Sequence, residues 1–195
     1  MSMYLAFVAN SNTNRLLVSN SGDGKNWQPS SQVGNESSKR APAISFISSG
    51  PQGFTLGFVA NDASNQLLVS HSADGKTWSP STPVQNQSSK AAPALAEFEN
   101  KLWMAFVAND ASNQLLVSHS ADGQSWSPST PVQHQSSQAT PALAVFDNRL
   151  WIAFVANDAS NQLLVSHSAG GKTWSPSIQV QHQSSKANPA LLALA

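Results

Sequence analysis

The chain alternates short apolar runs with polar turns, and the stretch 141–180 shows the unit most clearly. Residues 141–146 are mostly apolar and read as a strand; Asp147 and Asn148 then supply a hairpin turn signal before a second apolar run at 150–156. The second run carries apolar side chains on both faces. A polar cluster at 157–161 turns the chain into a third strand at 162–168, and a glycine-bearing turn precedes a short polar strand within 172–180. Pro, Ser and Asn interrupt every stretch longer than about ten residues, so no helical period competes.

This unit repeats. Residues 58–73 recur without change at 106–121 and 154–169, and more loosely at 7–22. Trp27, Trp78, Trp126 and Trp174 mark equal points of four copies, spaced 51, 48 and 48 residues apart; three extra residues near Ser48 lengthen the first gap and are expected in a hairpin loop. The copies run approximately over 1–41, 42–92, 93–140 and 141–188. A lone four-stranded sheet with central strands apolar on both faces is unstable in water, so each copy must stand between neighbours. A period near 48 residues with four strands suits radial stacking, and helical solenoids are excluded for want of helices. The expected fold is therefore all-β: a β-propeller of four four-stranded antiparallel blades. Residue 4 already falls in a second strand, whereas 188–195 match only the first strand, as at 92–96. Residues 189–195 are thus expected to close the ring by joining the N-terminal blade, removing two open edges. Closure within one chain is favoured because it loses no association entropy, with an eight-bladed ring of two chains as the alternative.

The turn between strands three and four carries Ser72, Asp74, Gly75 and Trp78, repeated as Ser120, Asp122, Gly123 and Trp126, and as Ser21, Asp23, Gly24 and Trp27. This pattern resembles the Asp-box of the sialidase-like (BNR-repeat) propellers, with one fewer residue between Asp and Gly. The fourth copy keeps Gly171 and Trp174 but has Gly170 at the aspartate position. A short Asp side chain can accept N–H bonds of its own turn, Gly permits positive φ, and Trp buries a large ring. These residues are accordingly expected to fasten hairpins and not to bind ligand. In the family they resemble, the boxes lie away from the active site.

Composition narrows the function. Ten basic and ten acidic residues balance, which argues against nucleic acid, and no stretch approaches the ~20 apolar residues of a membrane span. The N-terminus lacks the pattern of a secretory signal. With no cysteine there is neither a disulfide nor a thiolate metal site. Neither His134 nor His182 has a second ligand at metal-binding spacing, and one carboxylate per Asn-Asp loop is few for calcium, so no metal or other cofactor is expected. The resemblance implies an arginine trio and a tyrosine nucleophile for sialidase activity. Arg15, Arg40 and Arg149 occupy unrelated repeat positions, and Tyr4 aligns with Trp103 and Trp151. The chain is therefore expected not to be an enzyme.

What remains are neutral polar loops. Asp62, Asp110 and Asp158 sit in equivalent Asn-Asp turns, and Asn35, Asn86, His134 and His182, with Gln87, Gln135 and Gln183, sit in the connections toward the next copy. Such side chains match sugar hydroxyls, and repetition around a ring favours multivalent binding. The same residues also suit solvated turns. The leading reading is a lectin-like carbohydrate-binding propeller, monomeric or homodimeric. A structural or designed symmetric scaffold comes second and a sialidase-like hydrolase third.

Overall fold

A computed structural model describes residues 2–48 and 52–194; most of the three-residue insertion beside Ser48 lies outside them. Four antiparallel sheets follow one another. The first holds β1 (Met3–Val8), β2 (Arg15–Ser21) and β3 (Ser31–Ser37), and the second β4 (Ala43–Ile47), β5 (Gly53–Val59), β6 (Gln66–Ser72) and β7 (Thr82–Ser88). The third holds β8 (Ala94–Phe98), β9 (Lys101–Val107), β10 (Gln114–Ser120) and β11 (Thr130–Ser136). The fourth holds β12 (Ala142–Phe146), β13 (Arg149–Val155), β14 (Gln162–Ser168) and β15 (Ile178–Ser184). In each sheet the strands pair in chain order, as in the blade of a propeller. Glu99 and Asn100, and likewise Asp147 and Asn148, have φ between 49° and 58°, the left-handed pair that a two-residue hairpin between twisted strands requires.

The core lies between the sheets. Leu16, Val18 and Val33 of blade 1 pack with Leu56, Phe58 and Trp78 of blade 2. Leu67, Val69 and Val84 meet Leu102, Met104, Phe106 and Trp126 one step on, and Leu115, Val117 and Val132 meet Leu150, Ile152, Phe154 and Trp174 after that. One interface is thus built three times. Strands three and four of a blade supply its outgoing face, and strand two with the box tryptophan supplies the incoming face of the next. Burying each Leu, Val or Phe contributes roughly 1.5–3 kcal/mol, so these faces carry the stability.

The box glycines are sockets in the same interfaces. A Cβ on Gly171 would fall 1.9 Å from the indole of Trp103, and one on Gly75 would fall 2.3 Å from Tyr4. The second-strand residue of one blade therefore plugs onto the box of the next. Around the socket, Asp74 Oδ1 accepts the N–H groups of Lys76 and Thr77 at 2.8 Å each, and Ser72 Oγ accepts the Gly75 N–H at 2.8 Å while donating to Asp74. These bonds hold the Asp74 carboxyl down at about 2. Burial opposes ionisation of Asp122, but donors at Ser125, Gln124 and Ser120 outweigh it and bring that carboxyl to about 2 as well.

The closing strand is where the structure departs from expectation. Residues 185–194 form no strand, and the first sheet has three strands with β1 at its open edge. Both end faces are bare. Trp27 is 40% exposed where Trp78, Trp126 and Trp174 are buried, and Phe146 is 55% exposed where the equivalent Phe98 is 5%. Packed interfaces join blades 1 and 2, 2 and 3, and 3 and 4, while Met3, Leu5 and Trp27 at one end of the series and Phe146 at the other stay exposed.

The fourth copy offers a direct check on the turn chemistry. Lacking the carboxylate, Ser168 Oγ donates instead to Thr173 O, while Gly171 keeps φ at +71° and a Cβ on Gly170 would meet nothing within 4 Å. Gly170→Asp is expected to restore the missing turn bonds and raise stability by about 1 kcal/mol in denaturant unfolding. A destabilised variant would show that the carboxylate is not what fastens this turn.

Candidate functional site

The predicted rim and connection residues fall into two sets. Asp62, Asp110 and Asp158 lie in exposed turns, and each carboxylate accepts the backbone N–H, at 2.9 Å, and the hydroxyl of the serine two residues on. Those serine bonds hold all three carboxyls below the usual range, the hydroxyl contributing most. Neighbouring rims are also tied together: Lys90 Nζ donates to Asn113 Oδ1 at 2.7 Å and Asn113 Nδ2 to Asn157 Oδ1 at 3.3 Å.

Asn35, Asn86, His134 and His182 sit elsewhere, on bulges within the fourth strands. Gln66 pairs with Ser88 and Leu68 with Pro83, so β7 spends five positions where β6 spends two. Gln85 and Asn86, Gln133 and His134, and Gln181 and His182 all take positive φ there, with Gly34 before Asn35 in the first copy. The bulge exposes the Asn or His on the outer edge of the blade, while Gln85 Nε2 reaches forward to Trp126 O at 2.7 Å and Gln133 Nε2 to Trp174 O. Gln87 and Gln183 fold back onto Gln85 O and Gln181 O, and Gln135 stays half-buried.

A site that the sequence reading passed over lies between blades 2 and 3. Trp103 stacks on His119 with ring centroids 4.7 Å apart and fills the space above Gly171. The matching residue of blade 2 is Thr55, which leaves the slot above Gly123 only partly filled by itself, His71 and Ile47. The result is a cleft of about 230 Å³ whose lining includes Thr55, His71, Gln52, Thr77, Asp122 and Gln124. Thr55 Oγ1 and His71 Nδ1 are 3.2 Å apart, and His71 Nε2 is buried with no partner. Burial lowers the His71 pKa, only partly countered by the Asp122 carboxylate, so the imidazole is neutral near pH 7. The cleft therefore combines a neutral ring, an ionised carboxylate, an amide and hydroxyls. The signal was present in the repeat alignment: the column holding Tyr4, Trp103 and Trp151 holds Thr55 in copy two.

Glu97 is bonded across the blade interface to the N–H and hydroxyl of Ser48, and among the described residues no group of three His, Cys, Asp or Glu side chains could hold a metal ion.

Comparison with known structures shows the same architecture in carbohydrate-active proteins. The BP39L lectin from Burkholderia pseudomallei superposes with a TM-score of 0.73 at 20% identity over 91% of this chain and 52% of its own. An α-L-arabinofuranosidase from Fusarium graminearum gives 0.72 at 14% identity over 92% and 63%, and the α-L-arabinanase of Penicillium chrysogenum 0.70 at 12% over 92% and 63%. The chain thus spans about half to two thirds of the length of these proteins, and the likeness is one of fold. Two of the three are enzymes, so the expectation that this chain is not an enzyme does not stand: proteins of this fold include glycoside-active enzymes outside the sialidases. No curated protein sequence matches the chain. Residues 43–190, three quarters of the length, match the sequence model of the DUF6242 beta propeller domain, and the chain belongs to that family of β-propellers.

Proposed function

We propose that the chain binds carbohydrate, and that the cleft between blades 2 and 3 is a binding site for a sugar ring. The observation that carries this reading is Thr55: in place of an indole it opens a polar slot containing a buried imidazole nitrogen with no partner. Sugar hydroxyls donate and accept at once, so one can donate to the Asp122 carboxylate, and the lining amides and hydroxyls of Gln52, Thr77 and Gln124 fix orientation. Two of the walls are the Asp-box turn of blade 3 and the plug position of blade 2, so the fold itself presents the groups. The boxes remain fasteners elsewhere, as in the sialidase-like propellers they resemble.

A second reading keeps the bulge residues Asn35, Asn86, His134 and His182 as a ring of weak, repeated contacts. Its support is the left-handed backbone at Gly34, Gln85–Asn86, Gln133–His134 and Gln181–His182, beside which the Asn or His of each copy is exposed.

A glycan array at high protein density is expected to show binding to neutral sugars. Thr55→Trp is expected to fill the slot and reduce that binding at least tenfold with the fold retained. His134→Ala with His182→Ala is expected to leave it unchanged; the reverse outcome would place the site on the bulges, and no binding to any glycan would end the proposal.

The state of His71 is testable by itself. Its folded pKa lies below the unfolded value of about 6.5, so the unfolded chain takes up the proton first, and stability is whole above pH 6.5 and falls as pH drops below it. His119, also lowered by burial, contributes in the same direction. His71→Asn is expected to remove part of the slope in urea midpoint between pH 7 and pH 5; an unchanged slope would mean that His71 is solvated.

A further inference from the structure

We propose that two copies of this chain assemble head to tail into one ring, residues 189–194 of each copy running as the inner strand beside β1 of the other.

The place for that strand is open. Along the free edge of β1 lies a groove of about 490 Å³ lined by Ser2, Tyr4, Ile44, Ser45, Phe46 and Phe54, where the other sheets carry β4, β8 or β12. The residues to fill it are at the other end of the chain. Pro189, Ala190 and Leu191 repeat Pro93, Ala94 and Leu95, and Leu194 stands where Phe98 does. Leu192 and Leu194 are each 82% exposed, and a second apolar groove separates 191–194 from Phe146 and Trp151.

The approach to that strand is already laid down. Ser185 N donates to Asn161 O at 2.9 Å, as Ser89 N donates to Asn65 O and Ser137 N to Asn113 O, each at 3.0 Å. Thr140 N donates to the Asn188 side chain at 2.9 Å, one step beyond the bond from Ala92 N to Thr140 Oγ1. The chain therefore leaves blade 4 along the path on which it enters each earlier blade.

The two end faces complement one another. Met3, Leu5 and Trp27, at 56%, 49% and 40% exposure, are the incoming face of blade 1. Leu163, Val165 and Val180 of blade 4 are the outgoing face, half-buried where Leu115, Val117 and Val132 are wholly buried. Plug and socket match too: Gly24 has only Met3 Cε near its Cβ position, at 3.9 Å, and Trp151 is the plug without a socket. Within one chain these faces stay apart. A second arc of four blades supplies both at once, and the interface, although heterologous, closes by two-fold symmetry.

The register follows from the β8–β9 pairing. Leu95 lies opposite Met104, so Leu191 of one copy falls opposite Leu5 of the other. Light scattering on the 195-residue chain is expected to give particles of two chains, and Leu191→Asp with Leu194→Asp single chains with an unchanged β-sheet spectrum. The sequence has no cysteine, so Leu5→Cys with Leu191→Cys gives a clean probe: directly opposed strand residues have the spacing a disulfide needs, and oxidation is expected to link two chains covalently. Single chains in solution, a disulfide formed within one chain, or open chains of more than two copies would each overturn the proposal.

Discussion

No blade of this protein can shelter its own apolar faces. Leu67 and Val69 on one side of a sheet and Leu56 and Phe58 on the other both need a neighbour, and the core therefore lies between the sheets and not within any of them. Everything else follows from that constraint. The hairpin between strands three and four must carry a tryptophan into the gap, its glycine must leave room for the ring of the blade behind, and its aspartate must hold the turn while both happen. Losing one carboxylate at Gly170 leaves the gap filled by Trp174; losing a whole neighbour leaves Trp27 in solvent.

The same constraint explains how a chain of near-copies becomes uneven enough to hold a ligand. Identical hairpins at 58–73 and 106–121 present identical groups, so a distinct site arises only where a copy departs from the others. Thr55 is such a departure. Removing an indole from a packed interface leaves room, a histidine with an unmet nitrogen and a carboxylate held ionised by its own turn. The polar rim, by contrast, spends its side chains on each other: Lys90 on Asn113, Asn113 on Asn157, and the turn aspartates on their serines.

Much of this could be read from the residues. Periodicity and alternation give the strands, Asp147-Asn148 gives a left-handed hairpin, and the apolar second strand demands neighbours on both faces. The likeness of 188–195 to 92–96 predicts a closing strand beside the N-terminal blade, yet residues 185–194 form no strand: whether the two ends of the chain meet depends on how side chains such as Met104 and Phe106 seat against the previous sheet, which no local pattern encodes. The bulges escaped as well. A polar Gln-Asn or Gln-His pair reads equally as a loop or as strand residues in left-handed conformation, and only the pairing of Gln66 with Ser88 distinguishes them. Exclusion of catalysis failed for a different reason: an inventory of side chains speaks only to the mechanisms it is compared with, while one fold accommodates many.

The plugs have a consequence for folding. Tyr4, Thr55 and Trp103 face Gly75, Gly123 and Gly171, while the hairpins behind them are the same sixteen residues in three places. A hairpin emerging from the unfolded ensemble carries almost no address, and can dock against the wrong sister with most native contacts satisfied. Thr55 and the indoles thus serve as the labels that tell neighbours apart, and misplaced copies that must detach before the correct order is reached are the failure mode characteristic of such repeats.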